Sequence, residues 1–288
     1  MSTVPRGSPQ DLARIWHAWV GIGGNLIALH QRTGHDAVMT EPDPGEGLIR
    51  LENLISEDLH ERITPTNRAT VIGWGLFFTA VHQIRAVLVL HQAGACGAAS
   101  PNRRSALEHT VTLRWCADQG DRIGDIYNRK LGMDQIQLAK AIRADGTADR
   151  YADAYQVMAA TVKTVKESIA PDPNERLAKI EHLMTGYGLT KEWSYYTVES
   201  RFTHPTLTGT QMFFQDDGKD FRVSQMPIHE ELVSCPLFCL WILHAAMLCF
   251  NELLTGRPWT TELEKVAQEY GFMSTLPTWQ GPGSPSGQ

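Results

Sequence analysis

The sequence predicts an all-α protein: a single antiparallel bundle of about eight helices, with a short β-hairpin-like insertion near residues 211–225. Three observations predict it. Apolar residues recur at steps of three and four along most of the chain, the period of a helix buried along one face. The breaks between these runs are short and rich in Pro, Gly, Asp and Ser, the residues that start, cap or stop helices. The 288 residues are 42% hydrophobic and 20% charged, enough for one sizeable core, and no linker or internal repeat divides them.

The elements follow in order. Residues 1–8, MSTVPRGS, predict a flexible arm, 9–272 one helical domain, and 273–288, rich in Pro, Gly and Ser, a disordered tail. Leu12, Ile15, Trp19, Ile22, Leu26 and Leu29 form a narrow helical seam. Such a seam packs inside the bundle or against a second copy, so a homo-oligomer is expected. Gly21 and Gly23 follow no strand, which argues against a dinucleotide loop. Residues 33–47 are a loop and 47–59 a short helix or turn. Pro65-Thr66-Asn67 opens a long helix to about Ala93. Ser100-Pro101 opens the next, which Gly120 closes. Further helices are predicted at 121–144, 148–169, 175–185 and 190–203, the last stopped by Pro205. Met212–Phe214 and Phe221–Val223 are β-prone and flank Asp216-Asp217-Gly218-Lys219, a hairpin turn. Pro227 introduces a helix to about Leu254, and Thr260 or Thr261 caps a last one to Tyr270.

Residues 232–254 carry no charge between Leu232 and Asn251, a run long enough to span a bilayer. Pro236, His244 and Asn251 interrupt it, and no Lys/Arg cluster flanks it. It is read as the bundle's central helix, with no membrane partner. The net charge of −6 argues against a dedicated nucleic-acid binder but leaves room for a small basic pocket. Cys96, Cys116, Cys235, Cys239 and Cys249 form no CxxC pair, and their number is odd. They are expected as reduced, buried thiols of a cytoplasmic protein, and no apolar signal stretch follows the start.

Two stretches could carry chemistry. The first is residues 101–119, PNRRSALEHTVTLRWCADQ. Arg104 and Glu108 are four apart, as are Ser105 and His109, so each pair shares a helical face. One reading is an Arg–Glu ion pair with a half-buried His109. The other is an anion pocket, with Arg103 or Arg104 as a planar fork and His109 as a general acid/base. The second stretch is Ser200-Arg201-Phe202-Thr203-His204-Pro205. There Arg201 and His204 suit a helix C-terminus, or His204 reaches across the bundle toward Arg104 and His109. Metal ligation by His82, Glu108, His109, Glu199, His204 and His244 is a third possibility. The chain holds no HExxH and no ExxH, so no metal and no cofactor is expected.

Residues 104–109, RSALEH, and 200–205, SRFTHP, resemble an uncharacterised family of bacterial, often actinobacterial, helical proteins. These carry an Arg-x-x-x-Glu helix and a later Ser-x-x-x-His-Pro. The resemblance covers most of residues 66–255 and implies an all-α fold. More distantly, Arg104 to His109, with four residues between, is similar to the mark of the HEPN superfamily of helical ribonucleases and defence proteins. That resemblance implies that Arg104, or Arg103, holds the scissile phosphate and that His109 moves the proton, at a dimer interface. The expected function is therefore binding or metal-independent cleavage of RNA or another phosphate-bearing ligand, with a toxin or defence system as the expected setting. His109, Arg104 and His204 would be catalytic, and Arg103, Glu108, Ser200, Arg201 and His82 would bind ligand. The alternatives are a non-catalytic helical interaction protein, acting through the 12–29 seam or the 211–225 hairpin, and a metal-binding bundle enzyme.

Overall fold

Caps and stops fall close to their predicted places in the computed structural model, which describes residues 42–62, 67–144, 152–168, 179–204, 213–216, 221–223 and 235–280. The arm and the 12–29 seam lie outside the described residues. In chain order the elements are α1 (Pro44–Arg62), α2 (Arg68–Gln92), a 3-10 turn (Cys96–Ala99), α3 (Ser100–Gln119), α4 (Arg122–Ala144), α5 (Ala152–Ser168), α6 (Ile180–Gly186), α7 (Thr190–Thr203), β1 (Phe214–Asp216), β2 (Phe221–Val223), α8 (Cys235–Asn251) and α9 (Thr260–Tyr270). This is the all-α bundle that periodicity predicts.

Local chemistry explains the ends. The Asn67 side chain accepts from the Thr70 amide at 2.8 Å and caps α2. Pro101 sits in the first turn of α3, where its missing N–H leaves no bond unmade. Gly120 ends α3 at φ 55°, a backbone angle that side-chain-bearing residues rarely adopt. α1 is longer than the predicted 47–59, because Asp43 accepts from the Gly45 amide and starts it earlier.

Helix α8 lies at the centre, packed on α1, α2, α3 and α9. Its polar residues are not defects in an apolar rod. His244 Nε2 donates to Leu263 O at 2.9 Å, and Asn251 bonds both the Trp259 amide and the Thr260 hydroxyl. Each polar group on α8 therefore meets α9 or the turn before it, and no buried polar atom of theirs is left without a partner. Phe77 of α2 stacks on Phe250 of α8 with centroids 4.7 Å apart, and Trp259 closes the other side. Gly47 lets α1 approach: a Cβ there would lie 2.7 Å from Leu240 Cδ2 and 2.9 Å from the Tyr270 hydroxyl. Arg85–Glu52 and Arg50–Glu269 ion pairs tie α1 to α2 and α9 from outside. α8 spans 17 residues, and most of them are buried. Among the described residues, α2 alone is long and apolar enough to cross a membrane, and it packs on α3 and α8.

Helices α4 and α5 form an antiparallel pair whose inner end reaches the core through Ile123 and Ile126. β1 and β2 pair antiparallel, Phe214 with Val223 and Asp216 with Phe221. The hairpin forms where expected, but its first strand is 214–216 rather than 212–214, two residues nearer the turn.

The tail expectation fails for residues 273–280. Trp279 packs edge-on against Tyr187 and over Gly186, and the Gln280 amide donates to Gly186 O at 2.6 Å. Arg114 donates to Pro277 O at 3.1 Å while pairing with Asp118 at 2.7 Å. The Tyr187 hydroxyl completes the group by donating to Asp118 at 2.6 Å. Pro/Gly/Ser composition measures the cost of ordering a chain, but one Trp that finds a matching hollow offsets much of it.

Candidate functional site

The two polar stretches meet. Helix α3 packs along α7, and one face of each turns toward the other. Ser100, Arg103 and Arg104 come from the first turns of α3, where the chain leaves the 3-10 turn. Tyr196, Glu199 and His204 come from the second half and end of α7.

Arg103 is 8% exposed and Glu199 4% exposed. The guanidinium grips the carboxylate as a fork, Nε to Oε1 at 2.8 Å and Nη2 to Oε2 at 3.1 Å. Ser100 Oγ also donates to Oε2, and Arg103 Nη1 donates to Cys96 O at 2.9 Å. Burial opposes the charge on Arg103, but the Glu199 bonds and charge more than offset it, so its pKa is raised. Arg103 is thus a structural cation whose donors are already committed. That corrects its assignment as a ligand-binding residue. Glu199 is likewise withdrawn from the metal set.

Arg104 differs. Its Nη2 donates to the Tyr196 hydroxyl at 2.9 Å, its Nη1 faces His204 Nε2 at 3.4 Å, and its plane lies over the Tyr196 ring. None of the ion pairs among the described residues involves Arg104, so the predicted Arg104–Glu108 pair does not form. Its Nε is buried without a partner. An Arg nitrogen can only donate, so an Nη1–His204 bond requires Nε2 as the acceptor.

His109 stays on its own helix. Its Nδ1 lies 2.7 Å from Ser105 O, and a carbonyl can only accept, so Nδ1 carries the proton and Nε2 is the acceptor nitrogen. It stands five positions after Arg104, so the two leave the helix about 140° apart. The expected Arg104–His109 partnership is therefore not made within one chain, and His204 stands in that place instead.

The remaining residues scatter. Ser200 Oγ donates to Tyr196 O within its own helix at 2.7 Å. Arg201 and His204 are exposed at the end of α7, and Glu108 is half-buried on α3. His82 is exposed on α2. His244 is buried against α9, so the six proposed metal ligands do not gather. An apolar cleft between α3, α8 and residues 273–277 includes neither Arg104 nor His204.

Sequence reading missed Tyr196 as a member of the site and named Glu199 only as a possible metal ligand, not as the partner of Arg103. Only the Ser200–His204 motif hinted at their helix, because their partners lie about a hundred residues away. It also missed a cluster formed by His91, Cys96 and Cys235, whose ligand atoms all lie within 4.8 Å of one another.

No curated protein matches this chain. No solved structure matches it either. The family of unknown function DUF5677 matches residues 71–221, from the second turn of α2 through α3 and α7 to the start of β2, and covers both helices of the Arg104–His204 corner. With more than half of its length matched, the chain belongs to that uncharacterised family.

Proposed function

We propose that this protein binds a phosphate-bearing ligand, RNA in the first instance, at the corner formed by Arg104, Tyr196 and His204. One observation carries the reading: a guanidinium held by a phenol and an imidazole, with no carboxylate paired to it among the described residues. A carboxylate partner would have occupied the fork. A phenol and a neutral imidazole orient it while leaving its charge for an incoming anion. The spacing that resembles the HEPN superfamily supports the same ligand class.

With RNA as substrate, the chemistry needs no metal. As Arg104 turns from His204 to the phosphate it frees the Nε2 lone pair; the 2′-hydroxyl then attacks the adjacent phosphorus, and His204 Nε2 takes its proton. The 5′-oxygen leaves and receives that proton back, while Arg104 balances the charge gathering on the phosphoryl oxygens. His109, with Nδ1 anchored and Nε2 as acceptor, offers a second proton-transfer group on another face of α3. A second copy could bring the two together, which is why the expected homo-oligomer belongs to this reading.

The test is fluorescence anisotropy with a labelled single-stranded RNA, followed by cleavage assays in EDTA. Binding that falls at least tenfold in Arg104→Ala and His204→Ala, with helicity unchanged, supports the corner. Wild-type protein that ignores RNA, or variants that bind as well as wild type, would end this reading.

A second reading, a helical interaction protein, rests on the α4–α5 pair. Met133, Leu138 and Val157 there are 52%, 53% and 67% exposed. Light scattering after size-exclusion of Leu138→Lys distinguishes it: a change in assembly state is expected only if this face joins subunits.

A further inference from the structure

The cluster of His91, Cys96 and Cys235 draws on three places in the fold. His91 ends α2, Cys96 opens the 3-10 turn, and Cys235 is the first residue of α8. Nδ1 of His91 is 3.0 Å from Sγ of Cys96, and all three ligand atoms lie within 4.8 Å of one another. In a tetrahedral zinc site, bond lengths of about 2.0–2.3 Å put ligand atoms roughly 3.3–3.8 Å apart, so these positions need only small adjustments. Cys116, Cys239 and Cys249 show that thiols here can be placed as plain core residues, and burial pushes each of them up to about 12. Cys96 and Cys235 are different. They adjoin an imidazole, and Cys96 is only half-buried at a rim where His91 is exposed. The Arg103 guanidinium lies 3.7 Å from Cys235 Sγ and bonds Cys96 O. Burial pushes the Cys235 thiol up as well, to about 11, and the Arg103 charge, held in place by Glu199, works against that rise.

We infer that His91, Cys96 and Cys235 form a binding site for one thiophilic metal ion, zinc being the natural occupant, with its fourth position open to solvent beside His91. Two thiolates and a neutral imidazole are the donor set that selects zinc over the hard cations. Binding exchanges the two thiol protons for the ion, so the loaded site carries no net charge next to the neutral Arg103–Glu199 pair. The ion would pin the end of α2, the 3-10 turn and the start of α8 to one another. Those three segments also frame Arg103, the neighbour of Arg104 on α3. The inference does not depend on the proposed ligand of Arg104.

The test uses the full chain, reduced and freed of metal, titrated with Co²⁺ and then with Zn²⁺. One equivalent of Co²⁺ should give a near-ultraviolet thiolate-to-cobalt band, and one equivalent of Zn²⁺ should erase it. Zn²⁺ should also raise the melting temperature. Cys96→Ser and His91→Asn change half-buried and exposed positions, so both should stay folded by circular dichroism. Cys96→Ser should lose the band, and His91→Asn should weaken binding at least tenfold. No band in folded, reduced wild type overturns the inference, and so does a band that survives Cys96→Ser. Intact mass two hydrogens below the reduced chain, with no metal taken up after mild reduction, would also overturn it by marking the two thiols as a disulfide pair.

Discussion

Replacing Glu199 with alanine gives the sharpest test of how this bundle is held. The change removes the carboxylate that accepts two bonds from Arg103 and one from Ser100, at a site where the Arg103 and Glu199 side chains are 9% and 5% exposed. Arg103 cannot lose its proton, and its surroundings admit little water, so the variant keeps an uncompensated charge in the core. Removing one partner of a buried ion pair costs about 3–5 kcal/mol. At about 2–4 °C per kcal/mol for a chain of this size, the melting temperature should fall by on the order of 10 °C. Replacing both partners by apolar residues, Arg103→Met with Glu199→Leu, should recover most of the loss, because no charge is then stranded. Urea unfolding followed by circular dichroism measures all three variants. A loss below about 1 kcal/mol for Glu199→Ala would refute the reasoning, since water would then be reaching Arg103 despite its burial. So would a double variant as unstable as the single one.

Arg104→Ala should flatten the salt dependence of RNA affinity, reducing its log–log slope by about 0.7, the expectation for one lost phosphate contact on a single strand; anisotropy at several salt concentrations reads this. His244 makes stability depend on pH. Burial pushes its pKa below that of an ordinary histidine, against the smaller opposing effect of its bond to Leu263 O. The unfolded chain therefore takes up a proton that the folded chain does not. Stability should fall as pH drops below about 6.5, by up to about 1.4 kcal/mol per unit, until folded His244 also titrates. His244→Gln should show a shallower slope than wild type in unfolding midpoints over that window, and equal slopes would count against His244 as the cause. Gly186→Ala should displace Trp279, whose ring occupies the space a Cβ would need, and destabilise by about 1–3 kcal/mol. A red-shifted tryptophan emission should accompany it, and an unchanged spectrum and midpoint would show that the 273–280 strap does not depend on this contact.

The sequence by itself determined the helices and the class of fold. Periodicity, Asn67, Pro101 and Gly120 act within a few residues of where they stand, so the chain carries their meaning locally. It also singled out the 101–119 and 200–205 stretches, because charge set among apolar neighbours must be resolved somehow. Tertiary structure alone decided how. Arg103 and Arg104 are adjacent, yet one faces Glu199 in the core and the other Tyr196 and His204 at the rim. Successive helical residues point about 100° apart, so the rotation of α3 about its own axis decides which of the two faces α7's buried carboxylate, and no short-range signal sets that rotation. Packing sets it, through contacts between residues about a hundred positions apart. The same holds for Trp279, whose hollow is built by Gly186 and Tyr187, and for Cys96 and Cys235, which become neighbours only when α8 enters the bundle.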